Sequence, residues 1–381
     1  MLYIGIDLHG KQMTVNIRDE GGTVIQRRQV STRPAKVEKF FEQVHGLEDG
    51  NYVVLLEVCG FHDWLVDRLR ADEQCREVVL IQPERISRRK TDRRDANHLG
   101  ELLWVNRERL LAGEKVQGVR RVYIPTDAER QDRQITSIRY RLAKQRTRTL
   151  NQIHHILRRN NLEWDLPTKG FQTKKVKDWL KTLSLEATDR LELDQLLEQW
   201  AMWDEQIVKL EWQIAERCHS RVGVQLLTTI VGVSYYMALA IVSRIGDIPR
   251  FPSGRSLANF LGLTPSSRSS GEKQSLGSIT KQGSRMVRFL LGQLVLHVLR
   301  KDAKLRAWYA GIKRRRGSKV ARVAVMRRMA VIIWHMLSKQ EAYVYGGEPS
   351  AMWPRNWQLA KGQAACGARG QEVPVPLLCR K

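Results

Sequence analysis

The stretch "YVVLLEV", residues 52–58, constrains this chain more than any other. In an extended strand successive side chains point to opposite faces, so an unbroken apolar run from Tyr52 to Leu56 needs cover on both faces. Antiparallel sheets with one wet face alternate instead, so this strand belongs inside a layered α/β domain. It ends in Glu57, where an unpaired charge would be costly enough to demand a cation or a proton.

The flanking text completes the layer. "LYIGIDLHG" and "QMTVNIRDE" read as strands joined by a short glycine turn, and "GGTVIQRRQV" reads as a third. "PAKVEKFFEQVHGL" places Val37, Phe40, Phe41 and Val44 on one helical face. After the apolar strand come a helix around Trp64, Leu65 and Leu69, a strand "EVVLIQ", and a helix carrying "KTDRRDANHLGELL". The order β-β-β-α-β-α-β-α over residues 1–115 predicts a mixed sheet, with three antiparallel strands first and right-handed crossovers after.

Carboxylates recur where this sheet would end. Strand alternation puts Asp7 on the face of Tyr3 and Gly5. If the first and fourth strands are neighbours, Asp7 and Glu57 lie side by side. Asp92 and Asp95, three apart, share one helix face that can be brought across them. Singly, each acid has an ordinary explanation. An Asp at a helix N-terminus is favoured by about 0.3–1 kcal/mol, and Arg93 and Arg94 are adjacent. As a set, four converging carboxylates suit two Mg²⁺ ions that clamp the attacking and leaving oxygens of a phosphodiester.

From 116 to 220 the pattern turns helical. Leu193, Leu196, Trp200, Trp203, Ile207, Leu210 and Ile214 form a heptad seam, with Leu150, Ile153 and Leu157 on an earlier helix as a partner; a helical hairpin, a bundle and a self-associating coiled coil all satisfy it. Residues 221–340 form a third, helix-rich block with a polar serine-glycine loop and two helices dense in Arg and Lys, and 341–381 is an irregular tail. The net charge of +25 draws such a chain to polyanions. With no spanning-length apolar run and no signal segment, nucleic acid is a better partner than membrane, and the cytoplasm the expected compartment. Five scattered cysteines without C-x-x-C spacing exclude a disulfide framework and a zinc knuckle.

The order Asp7, Glu57, Asp92, Asp95 on this topology resembles a RuvC-type, RNase H-like nuclease domain. "KTDRRDA", with "YIGIDLHGK" upstream, resembles the DEDD transposases of the insertion-sequence-110 family. Val58 and Cys59 stand where that family often has a small residue and Thr, whereas Gly60 is kept. "FLGLTPSSRSSGEKQSLGSITKQGSRMVRFLL" resembles the family's C-terminal transposase domain, and Ser270 before Gly271 holds the place of the serine that attacks DNA. The resemblance spans about residues 1–340. It implies an α/β RNase H-like domain, a central helical coiled coil and an all-α transposase domain.

It further implies a DNA transposase with Mg²⁺ on Asp7, Glu57, Asp92 and Asp95, and Ser270 forming a covalent 5′-phosphoserine link. The implied partners are donor and target DNA, a structured guide RNA, and further copies of the chain, as homodimers that assemble into tetramers. In these, the nuclease-like domain of one subunit serves the serine domain of another. The implied location is the bacterial nucleoid. Arg268, Lys281, Arg285, Arg288, Lys313, Arg314, Arg315 and Arg316 are the candidate nucleic-acid contacts. Two other classes share parts of this pattern. A junction-resolving nuclease would use the four acids with water and no serine, and a non-catalytic binding protein would need only the basic surface.

Overall fold

The computed structural model describes residues 1–47, 50–83, 92–117, 119–270, 273–345 and 348–349, with backbone alone at 83, 92–95, 267–270, 273–276, 345 and 348–349. It separates into two compact units, Met1–Pro125 and Thr126–Lys381. The C-terminal tail beyond 349, with Cys366 and Cys379, lies outside the described residues. Among the described residues no helix is long and apolar enough to cross a membrane.

The first unit is a six-stranded mixed sheet in the order β3-β2-β1-β4-β5-β6. Strands β1 (Leu2–Leu8), β2 (Gln12–Arg18) and β3 (Val24–Ser31) are antiparallel, while β4 (Tyr52–Glu57) and β5 (Cys75–Pro83) continue parallel to β1. Helices α1 (Pro34–His45), α2 (Asp63–Arg70) and α3 (Asp92–Val105) fall where the sequence predicts them. A short α4 (Arg107–Leu111) and an edge strand β6 (Val119–Arg121), antiparallel to β5, extend the unit to Pro125.

The apolar run of β4 is buried on both faces, as its composition requires. Val54 and Leu56 join Ile4 and Ile6 under Phe40 and Phe41 of α1 and Leu65 and Leu69 of α2. Val53 and Leu55 join Tyr3 and Ile81 under Leu99, Leu103 and Leu110 of α3 and α4.

Helix α3 lies unusually close to the sheet. A Cβ placed on Gly5 would sit 2.2 Å from the backbone nitrogen of Gly100, and one on Gly100 would sit 2.2 Å from Asn16 Oδ1. Glycine at 5 permits this backbone-on-backbone contact, and glycine at 100 leaves room for the Asn16 amide. Polar groups lock the register: Asn16 Nδ2 donates to Asn97 Oδ1 at 3.2 Å, and Arg18 donates to Asn16 Oδ1 and to the Gly22 carbonyl.

At the other end of β4 the buried Asp72 carboxylate accepts from Tyr52 Oη (2.8 Å), Arg68 Nη1 (2.9 Å), His45 Nε2 (2.9 Å) and the Gln74 amide (3.1 Å). Burial works to raise its pKa, but these donors, led by Arg68 and Tyr52, outweigh it and hold the carboxyl below its usual range.

The second unit begins with α5 (Asp127–Arg159), opened by a capping box between Thr126 and Glu129. After α6 (Lys174–Thr182), helix α7 (Ala187–Cys218) runs antiparallel to α5, as the ion pairs Arg139–Glu211, Arg146–Asp204 and Arg159–Glu192 require. One end of the heptad seam (Leu193, Leu196, Trp200) packs on Leu150, Ile153 and Leu157 of α5 and on α6. The other end (Ile214, then Cys218) enters a larger core with α8 (Val222–Thr228) and α9 (Tyr235–Ile245). The seam thus meets a partner within its own chain, in the helical-hairpin arrangement.

Beyond α10 (Gly254–Phe260), the polar stretch expected to be a loop is instead a hairpin, β7 (Pro265–Ser270) with β8 (Lys273–Ile279). Helices α11 (Arg285–Lys301) and α12 (Ala303–Lys339) follow. α12 is broken at Gly317, which adopts φ 82°, ψ 165°. The Arg328 guanidinium lies 4.9 Å from the ring centre of Trp308. In a straight helix those residues would be about 30 Å apart, so the two arms fold back on each other.

Two outcomes follow from these contacts. Gly5→Ala should lower the unfolding free energy by about 1–3 kcal/mol through overpacking, whereas Gly60→Ala, which would meet nothing within 4 Å, should not; equal denaturation midpoints for the two variants would refute the close contact. Asp72→Asn should cost about 3 kcal/mol at neutral pH. Because the folded pKa is depressed, the Asp72 contribution is complete above the ordinary carboxylate value and is lost as pH falls below ~4. The stability gap between wild type and variant should therefore close in acid, as read by denaturation at a series of pH values.

Candidate active site

Strands β1 and β4 bring the first two acids together. Their parallel register pairs Ile6 with Leu56, so Asp7 and Glu57 are the next residues on adjacent strands, at the carboxyl edge of the sheet. Asp7 is largely buried, with 14% of its side chain exposed, and its Oδ2 accepts from His9 Nε2 at 3.1 Å. Glu57 is half-buried. Opposite Asp7 on β2 stands Thr14, whose buried hydroxyl has no hydrogen-bond partner among the described residues. Such an orphan costs roughly 1–3 kcal/mol unless something polar occupies the space beside it.

The nearby Cys59 reports the local field. Burial pushes its thiol pKa up, a backbone hydrogen bond at Phe61 opposes this, and the negative charges of Asp7, Asp63 and Glu57 add to the rise. Three carboxylates thus lie within electrostatic reach of one thiol in a chain of net charge +25.

Helix α3 runs toward the same edge. Asn97 bonds Asn16 beside Gly5, and about two turns later on the same helix face Trp104 Nε1 donates to the Glu20 carbonyl past the end of β2. The helix is therefore antiparallel to β1, and its first turn, with Asp92 and Asp95, is directed to the Asp7 end. Asp95 precedes Gly100 by about 7.5 Å of helix rise, close to the roughly 6.6 Å of strand from Gly5 to Asp7. The side chains of Asp92 and Asp95 lie outside the described residues. Among the described residues no cluster of three or more His, Cys, Asp and Glu forms a metal site. The donor set nevertheless fits a hard cation: carboxylate oxygens from Asp7 and Glu57, and an orphan hydroxyl suited to an ion's water.

Ser270 ends β7 at the turn of the hairpin, paired with Lys273, and its side chain and that of Arg268 lie outside the described residues. Gly262 and Gly283 both have positive φ, and a Cβ on either would lie 2.0 Å from a carbonyl oxygen, of Gln282 and of Phe260 respectively. Arg288 Nη1 reaches the carbonyls of Leu261 (3.2 Å), Gln282 (2.8 Å) and Gly283 (3.1 Å), tying the two crossing segments together. Burial, with Arg285 beside it, lowers the Arg288 pKa. Lys281 and Arg285 are exposed, as are Lys313, Arg314, Arg315 and Arg316 at the tip of the folded-back α12.

Sequence reasoning missed Thr14, Asn16 and Asn97. The signal was available in "MTVNI", where Thr14 and Asn16 put two buried polar groups on one face of a strand whose opposite face, Met13, Val15 and Ile17, is apolar. It also missed the clamp role of Arg288, for which the sequence holds no signal.

Residues 4–161 match the DEDD transposase model of the IS110 type, and residues 224–310 match the model described as the IS116/IS110/IS902 transposase family. The chain is 30% identical over 355 residues to the transposase for insertion sequence element IS1111A of Coxiella burnetii, covering 90% of this chain and 91% of that one. A probable family 20 transposase of Pseudomonas aeruginosa is 27% identical, over 89% of this chain and 98% of its own. A putative transposase of Sinorhizobium fredii, y4pF/y4sB, is 27% identical over 84% and 79%. On these matches, with their transposase models at both ends of the sequence, the chain belongs to the IS110 family of transposases.

Proposed function

We propose that this transposase cuts and rejoins DNA through a covalent serine–phosphate link, with Asp7, Glu57, Asp92 and Asp95 holding Mg²⁺ in a RuvC-type domain. The observation that carries the reading is the juxtaposition of Asp7 and Glu57 at the carboxyl edge of β1 and β4, with the first turn of α3 directed at that edge. The orphan hydroxyl of Thr14 supports an occupant there. When bound, Mg²⁺ would neutralise charge developing on the phosphate oxygens.

The chain's own residues supply the rest. Ser270 Oγ attacks phosphorus; the new Oγ–P bond forms as the P–O3′ bond breaks, and the hydroxyl proton ends on the released 3′ oxygen. Attack by the 3′ hydroxyl of another strand reverses the step, restores the serine and joins the strands without an external energy source. His9 steadies Asp7, and Arg288 holds the base of the Ser270 hairpin as a positioning residue. Arg268, Lys281 and Arg285 would steady the phosphate, and Lys313, Arg314, Arg315 and Arg316 would follow the backbone beyond it.

In this reading residues 1–115 are the metal-binding domain, 116–220 the helical and coiled-coil connector, and 221–340 the serine domain. Donor and target DNA, a structured guide RNA and a homodimer assembling into a tetramer complete it.

Two measurements test the proposal. Asp7→Asn and Glu57→Gln should each reduce Mg²⁺-dependent strand cleavage by on the order of 10²-fold or more, with unchanged circular dichroism; full cleavage by both variants rejects the metal assignment. Ser270→Ala should abolish the covalent protein–DNA adduct in a denaturing gel, while Ser269→Ala and Ser275→Ala retain it. Cleavage without an adduct in the wild type would favour a water-using nuclease, and an adduct mapped to another residue would exclude Ser270.

A further inference from the structure

Helix α5 sorts its cations by face. From Arg133 to Leu162 the chain contains no Asp or Glu. Arg139 and Arg146 are nevertheless neutralised, because they turn toward Glu211 and Asp204 of α7. Arg141, Lys144 and Arg148 turn the other way. At 100° per residue they fall within about 60° of one another and roughly opposite the paired arginines. All three are exposed and make no ion pair among the described residues, and His155, one heptad beyond Arg148, continues the line.

This face is joined to a second one. The Lys144 ammonium lies 4.6 Å from the ring centre of Tyr140, and Tyr140 meets Phe289 of α11 edge to face at 5.5 Å. Phe289 is 45% exposed, which is unusual for so large an apolar ring, and exposed Arg285 lies one turn before it on α11. No acid opposes this surface from α11 or α12. Between Lys273 and Gln340 the only acid is Asp302, which is buried and accepts from the Leu305 amide and Tyr343 Oη.

We infer that Arg141, Lys144 and Arg148 of α5, continued through Tyr140 to Phe289 and Arg285 of α11, form a binding surface for a nucleic-acid strand with unpaired bases. The inference rests on the reading of the chain as a nucleic-acid enzyme and adds a surface away from the α12 tip. The cations step along the helix by about 4.5 and 6 Å, a spacing that can follow successive phosphates. An exposed ring beside them offers a face on which a base can stack, whatever its identity. A fully paired duplex would engage the cations and leave Phe289 unused.

The test uses the full chain with three probes: single-stranded DNA, an RNA hairpin with an unpaired loop, and a fully paired DNA duplex. Combined Arg141→Gln, Lys144→Gln and Arg148→Gln should keep the melting temperature. It should flatten the dependence of affinity on salt, so that the loss between 50 and 200 mM shrinks by about 20- to 40-fold if three phosphates are released. The charge-matched control, Lys174→Gln, Lys175→Gln and Lys181→Gln on the exposed face of α6, should flatten it far less. Phe289→Ala should weaken binding of the single-stranded or loop-bearing probe roughly tenfold and leave the duplex unaffected. A response with DNA, with RNA or with both supports the surface and identifies the strand. Equal effects of the two triple variants overturn it, and an unchanged affinity of Phe289→Ala overturns the stacking role. If the unsubstituted protein binds none of the probes, the nucleic-acid reading falls and this surface falls with it.

Discussion

A helix backbone resting directly on a strand backbone, at Gly100 over Gly5, is the contact on which the first unit depends. Side chains normally hold a helix well clear of a sheet. Here both Cβ atoms are missing, and α3 comes close enough for Asn97 to reach Asn16. The two features support each other. A helix lifted by one methyl group would break the amide pair and leave partly buried polar groups unsatisfied, each at roughly 1–3 kcal/mol. The same closeness sets the direction of α3 and so carries its acidic first turn to the strand ends.

Much of that layer is legible in the sequence because its signals are local. Strand β4 announces burial on both faces by its unbroken apolar run, and α1 announces its inner face through Val37, Phe40, Phe41 and Val44. Elements made by tertiary demand are not legible. Strand β6 is three residues of "VRR" that exist because the edge of β5 accepts a partner. The β7–β8 hairpin has no apolar alternation; it is held at its base by the glycine crossing at 262 and 283 and by Arg288. The fold-back of α12 hides inside helical text, although a glycine amid charged residues, as in "RRRGSK", is a recognisable place for a helix to break.

The candidate site divides in the same way. Asp7 and Glu57 stand out because a charge inside an apolar strand needs a reason. Thr14, Asn16 and Asn97 do not, because their partners lie far away in the chain and only the register of β1, β2 and α3 unites them. Arg285 and Arg288 look equivalent as letters three positions apart. The fold separates them, turning one to solvent and the other into a nest of carbonyl oxygens.

Charge sorting links these observations. The net charge of +25 is not spread evenly: acids are drawn into contacts such as Asp302 with Tyr343, or Glu211 with Arg139, while whole helix faces stay cationic. Against that background Asp7 and Glu57 end neighbouring strands only about 4.8 Å apart, and their charges add to the rise that burial gives the pKa of the Cys59 thiol beside them. The proposed metal role rests on that pairing, because two carboxylates at one edge of a sheet are the oxygen donors a hard divalent ion would take.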